Sequence, residues 1–177
     1  MWALVEDSTI TKIFRQPKAF KLGDNQYPAN VFTLWSVEER EALGIYEVVV
    51  DNTNLKDSQY YDNGAESFTF SDGVVTKSFG TATAKDLDSL KETHKGNING
   101  QASGYLSGSD WYIVRETEAG TAVPANITTY RTDVRTRANE MCNAIDAVTT
   151  VDALAALYVY SGDPATRPLG EWPVLGE

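Results

Sequence analysis

Apolar residues recur at steps of three or four through Ile127, Tyr130, Val134, Ala138, Met141, Ile145 and Val148, which predicts one long amphipathic helix. Pro124 suits its first turn. Ahead of it, Gly120 ends a shorter helix that Asp110 caps and that carries Trp111, Tyr112 and Val114, so the two helices form the corner of a hairpin. Further upstream, Leu87, Leu90, His94, Ile98 and Tyr105 or Leu106 fall near helical spacing, with Gly96, Gly100 and Gly104 at every fourth position. Each glycine costs about 1 kcal/mol relative to alanine in a helix interior, so this helix needs a partner. A glycine ridge admits close approach by the Ile127 to Val148 stripe or by a second subunit; a break near Gly96 is the alternative. Thr149 or Thr150 caps a last short helix over Val151 to Tyr160.

The first 83 residues follow a shorter period. Trp2, Leu4, Ile10, Ile13 and Phe14 alternate with polar residues around Glu6-Asp7-Ser8, which predicts two short strands and a turn. Ala19 to Leu22 reads as a further strand before the turn Gly23-Asp24-Asn25. Ser36 and Glu39 have capping-box spacing ahead of a short helix over Val37 to Leu43, ended by Gly44. Ile45 to Asp51 is the clearest strand, apolar enough for burial on both faces near the middle of a sheet. Phe68 to Phe70 and Val74 to Phe79 flank Ser71-Asp72-Gly73 as a hairpin.

The fold class is therefore α+β. A small, mainly antiparallel β-rich part spans residues 1–83, a helical hairpin spans 84–160, and an extended arm or frayed tail spans 161–177. That last stretch holds three prolines and three glycines around an isolated Trp172, a composition that fits no packed element. Trp172 favours an arm that anchors in a neighbour's pocket. Trp35 and Trp111 are read as core residues.

Composition narrows the function classes. With 177 residues and 42% hydrophobic content the chain can bury a core as one domain or two small ones. A formal charge of -10 repels a phosphate backbone, which argues against nucleic acid. No apolar run approaches the roughly 20 residues that span a bilayer, so no membrane partner is expected. The N-terminus has no basic stretch followed by an apolar one, and the expectation is that the mature protein is the whole chain. One cysteine, Cys142, allows no internal disulfide and reads as a buried, inert thiol.

The candidate chemistry is sparse. His94, the sole histidine, has no cysteine nearby and supports neither a triad nor a zinc site. The glycines are spaced by four with no following Lys-Ser/Thr pair, so no phosphate loop is present. The oxygen-rich stretch from Asp51 to Asp62 lacks the glycine and terminal Glu of a helix-loop-helix calcium loop. Carboxylate pairing of the glycosidase kind is not excluded by sequence for Asp110 with a residue such as Glu47 or Asp51, but caps and solvated faces are the favoured reading of these residues. We therefore expect no catalytic, cofactor or metal residues. Arg115, Arg131, Arg135 and Arg137 concentrate around the hairpin and are expected to pair with Glu116, Glu118, Asp133 or Glu140 at helical spacing, or with an acidic neighbour.

Two segments carry a resemblance. Tyr27-Pro28-Ala29-Asn30-Val31-Phe32-Thr33-Leu34-Trp35-Ser36, with Glu39, Gly44 and Ile45, resembles the opening of small virion proteins of marine and cyanobacterial tailed bacteriophages. Leu106 to Arg135, with Asp110-Trp111-Tyr112, Arg115, Glu118, Gly120, Pro124, Tyr130-Arg131 and Val134-Arg135, is similar to a helical segment near the ends of phage tail and tail-fibre-assembly proteins. The resemblance implies a non-enzymatic virion protein of the tail, a baseplate or fibre-adaptor subunit. It would be made in the host cytoplasm and would bind other phage tail proteins in a symmetric, multimeric assembly. Its expected contact residues are Trp172 and Leu175 in the arm and Arg135 and Arg137 on the exposed side of the long helix. A tail-fibre assembly chaperone is the alternative, and a glycan-binding or glycan-degrading tail module stands third.

Overall fold

A computed structural model describes residues 1–176 and shows an α+β chain in two units, one from Met1 to Thr83 and one from Ala84 onward. In the first unit, β1 (Trp2–Glu6) and β2 (Thr9–Phe14) form a hairpin. Asp7 and Ser8 turn it with φ angles of 49° and 61°, the left-handed pair that suits the twist of a two-residue turn. A second small ladder, β3 (Phe20–Leu22) with β4 (Asn25–Tyr27), leads into a single helical turn, α1 (Val31–Leu34).

The capping box forms as expected at the start of α2 (Val37–Ala42). The Glu39 amide donates to Ser36 Oγ at 3.2 Å, and the Ser36 amide donates to Glu39 Oε2 at 2.8 Å. Gly44 then takes φ 79° and sends the chain into β5 (Ile45–Val50), while its carbonyl accepts from the Val5 amide at 2.8 Å. After β6 (Tyr61–Asp62), strands β7 (Glu66–Ser71) and β8 (Val74–Phe79) pair antiparallel across Asp72 and Gly73, both with positive φ. A short strand, β9 (Thr83–Ala84), lies at the division between the units.

The main sheet runs β2-β1-β5-β8-β7, so β5 is central. Its pairing with β8 is parallel while the β1–β2, β1–β5 and β7–β8 ladders are antiparallel, so the sheet is mixed but mainly antiparallel, as expected. The reason for the parallel pair is topological: the chain from Asp51 to Ala65 carries it past β8 to the far edge, and the β7–β8 hairpin then returns beside β5. Alternation along β1 and β5 feeds two cores. Leu4 and Ile45 join Phe14, Phe20, Val31 and Phe32 on one face, beneath the ladder and α1. Ala3, Val5, Val48 and Val75 lie on the other, with Ile10, Ile13, Tyr46, Phe68 and Phe70 packed around them. Side chains from both edge strands meet in this second cluster. The sheet curls around it until β2 and β7 approach, where Arg15 at the end of β2 pairs with Glu66. Burial of β5 on both faces holds for Ile45 and Val48 but lapses at Val49 and Val50, which are exposed.

The second unit is helical: α3 (Leu87–Ser107), α4 (Asp110–Ala119), α5 (Ala125–Ala147) and α6 (Val151–Ala156). Asp86 caps α3 by accepting from the Ser89 amide at 2.8 Å. The helix is continuous through Gly96. It packs along α5, burying His94, Ile98 and Ala102 on its side and Val134, Ala138, Met141 and Ile145 on the other. The pair is antiparallel: Lys91 and Lys95 reach Asp146 near the end of α5. The glycine ridge does not form this seam. Gly96, Gly100 and Gly104 are exposed with open space where a Cβ would stand, because the buried residues fall on the neighbouring four-residue row.

His94 is buried, with its Nδ1 2.7 Å from the Tyr158 hydroxyl, and burial holds its imidazole below the ordinary value of 6.5. The unfolded chain takes up a proton near pH 6.5 while the folded chain does not. His94 therefore contributes stability that is complete above about pH 6.5 and declines as pH falls toward the lower folded value. Urea unfolding at pH 7 and pH 5 is expected to show that loss in the wild type and a smaller one in H94Q. The depressed carboxylates Asp51, Glu66 and Asp86 lose their contributions at lower pH, below their ordinary values of 3.8 to 4.5. A second test concerns backbone. A Cβ on Gly44 would strike the Val5 carbonyl in addition to straining a positive φ, whereas one on Gly23 meets nothing. G44A is expected to cost about 3 kcal/mol and G23A about 1 kcal/mol in urea unfolding.

Candidate interaction surface

The corner from Leu106 to Arg135 is built around a buried cation. Arg131 is 7% exposed, and its guanidinium fastens the α3–α4 turn to α5. Nη1 donates to the Leu106 carbonyl at 3.0 Å and to Ser109 Oγ at 2.6 Å, while Nη2 pairs with Asp110 Oδ1 at 2.8 Å. Ser109 completes the turn by donating its hydroxyl to the same Leu106 carbonyl at 2.8 Å. Sequence spacing offered the arginines of this corner Glu116, Glu118, Asp133 or Glu140, or an acidic neighbour. The structure instead gives Arg131 the carboxylate of Asp110, which sits in the first turn of α4 behind the cap residue Ser109.

Beyond this anchor, α4 buries none of its ten residues. Trp111 is 51% exposed and Val114 52%, with Ile113 and, near the end of α3, Tyr105 also exposed. The reading of Trp111 as a core residue is therefore corrected. Its ring lies 3.8 Å from that of Tyr112, and the Arg115 guanidinium stacks over both at 4.8 and 5.1 Å, an arrangement that covers one face of the indole without removing it from solvent. Trp35 is half-buried against the first unit's core.

The four expected contact residues separate. Trp172 is not on a detached arm: its Nε1 donates to Gln101 Oε1 at 2.8 Å and its ring rests 5.1 Å from Tyr105, both on α3 of the same chain. Arg137 is likewise engaged, donating to the Glu171 carbonyl at 2.9 Å and to Glu140 at 2.7 Å. Gly170 has φ 84°, and the Arg137 guanidinium fills the space a side chain there would need. Leu169 is buried, its amide donating to the Leu157 carbonyl at 3.0 Å. A hydrogen bond to Glu171 pushes the Tyr160 phenol up. The expected arm is thus a strap bound to its own helices as far as Pro173, because Trp172 and Leu169 find sites within the unit. Leu175 remains exposed, with Val174 beside it at 90%; residue 177 lies outside the described residues. Arg135 also remains exposed.

The other candidate chemistry resolves into local structure. Asp51 accepts from the Thr53 amide and hydroxyl at 2.9 and 2.6 Å, Asp57 accepts from the Gln59 amide at 2.8 Å, and Asn63 bonds the Lys56 backbone twice at 2.8 Å. These oxygens cap turns. Among the described residues no group of three or more His, Cys, Asp or Glu side chains is placed to hold a metal ion. Cys142 is half-buried, and burial pushes its thiol up, away from the reactive thiolate. No helix among the described residues is long and apolar enough to cross a membrane. No family model, curated protein or solved structure matches the chain.

The anchor can be tested separately from the surface. R131A leaves the Leu106 carbonyl and Ser109 without their buried donor and is expected to cost about 2 to 4 kcal/mol in urea unfolding. D110N keeps the bonds to Leu106 and Ser109 but removes the guanidinium's carboxylate partner; because Asp110 is itself mostly exposed, it is expected to cost less than R131A, about 1 to 2 kcal/mol.

Proposed function

We propose that the protein is a non-enzymatic subunit of a bacteriophage tail, a baseplate or fibre adaptor, that works through protein–protein contacts. The observation that carries the reading is α4, a helix fixed at its start by Arg131 that offers Trp111, Ile113 and Val114 to solvent and has no fully buried residue, only Tyr112 and Arg115 half-buried. A rigidly placed aromatic and aliphatic surface is costly to leave in water and suits contact with a neighbouring subunit. The same corner coincides with the segment Leu106 to Arg135 that resembles phage tail and tail-fibre-assembly proteins, which supports the tail as its setting. Repetition around a tail axis makes a multimeric arrangement the natural one.

Mass-spectrometric inventory of purified particles tests the role. The chain is expected in intact virions at a fixed ratio to tail proteins. Its presence in the lysate of infected cells but not in particles would overturn the structural role in favour of the assembly chaperone.

A further inference from the structure

We propose that the groove between α4 and α5 is a docking site for an acidic, aliphatic segment of a partner protein, an inference that rests on the protein–protein role above. The groove, of about 200 Å³, is lined by Ile113, Thr128, Arg131, Thr132 and Arg135. Its two threonine hydroxyls donate back into the helix, Thr128 to the Pro124 carbonyl at 3.4 Å and Thr132 to the Thr128 carbonyl at 2.9 Å. The donors left to a ligand are those of the arginines.

The two arginines differ in what they lack. Arg131 is already neutralised by Asp110. Arg135 makes no ion pair among the described residues, and its bond to the Arg131 carbonyl is long at 3.4 Å. The contrast is plain on another face of α5, where a groove of about 240 Å³ carries Arg137 together with Asp133, Glu140 and Glu171, and Arg137 is bonded to Glu140. The α4–α5 groove therefore holds an uncompensated guanidinium beside the exposed side chain of Ile113. A guanidinium fork accepts a carboxylate through paired hydrogen bonds, and Ile113 provides contact for an aliphatic side chain next to that carboxylate. One carboxylate in an aliphatic setting suits this single fork, whereas a nucleic-acid strand would bring a phosphate at every nucleotide against a net charge of -10.

The test uses the full chain and a fluorescein-labelled peptide with one glutamate between leucines in a glycine-serine background, read by fluorescence anisotropy, beside the same peptide with lysine in place of that glutamate and beside labelled single-stranded DNA. The acidic peptide is expected to bind saturably, and the lysine peptide is not. R135A, with an unchanged circular-dichroism spectrum, is expected to weaken binding about tenfold. D133A, on the other face of α5, should leave it unchanged. Equal binding by R135A and wild type, equal binding of the two peptides, preference for single-stranded DNA, or no binding at peptide concentrations on the order of a millimolar would each overturn the site. Each outcome is independent of the virion inventory: a particle-borne chain that ignores the peptide defeats only the groove, and a chain that binds it but is absent from particles defeats only the tail role.

Discussion

A single buried guanidinium sets the geometry of the helical unit. Taking Arg131 out of water is costly, and the cost is offset because its hydrogen bonds are met at once by a carbonyl, a hydroxyl and a carboxylate drawn from one turn of chain. Those three acceptors belong to Leu106, Ser109 and Asp110, the residues at which α3 stops and α4 begins. The direction of α4 is thus fixed from α5, across a sequence separation of 25 residues at its widest. Since α4 has no buried side chain to hold it, this polar contact does what a hydrophobic face does elsewhere.

The first unit solves a different problem. Its sheet must bury two faces with little chain, and it does so unequally. The β3–β4 ladder and α1 cover one face with a cluster of Phe14, Phe20 and Phe32, whose ring centroids lie 4.9 to 5.6 Å apart. The other face is closed by curvature, with Tyr46 and Phe70 meeting at 4.9 Å. Central placement of β5 serves both, since Ile45 and Val48 point to opposite sides of the sheet.

Much of this was legible in the chain wherever a local rule had no competitor. The capping box at Ser36, the turns at Asp7-Ser8 and Asp72-Gly73, the central strand from Ile45 and the stripe from Ile127 to Ile145 all rest on contacts within a few residues or on a simple period. What was not legible depends on partners distant in sequence. Arg131 interrupts the apolar stripe as a charge, so periodicity assigns it to the surface, and only the folded corner supplies its acceptors. Trp172 looks unshielded in a proline- and glycine-rich tail, because Gln101 and Tyr105 lie about 70 residues away and carry no mark of their role. Trp111 erred the other way: helical phase cannot say whether a short helix has a neighbour. Of the expected contact residues, Arg135 and Leu175 stay exposed, while Arg137 and Trp172 are spent on the strap.

The outward glycines of α3 carry a consequence for how this unit gains and loses its order. Three of them in one helix interior oppose helix formation by roughly 3 kcal/mol relative to alanine, with no packing against them in return. The segment from Leu87 to Ser107 therefore borrows its regularity from the seam of His94, Ile98 and Ala102 against α5. Remove the seam and the coil wins, so α3 cannot persist as a lone rod. It winds and unwinds together with its partner, and the two helices behave as one cooperative block.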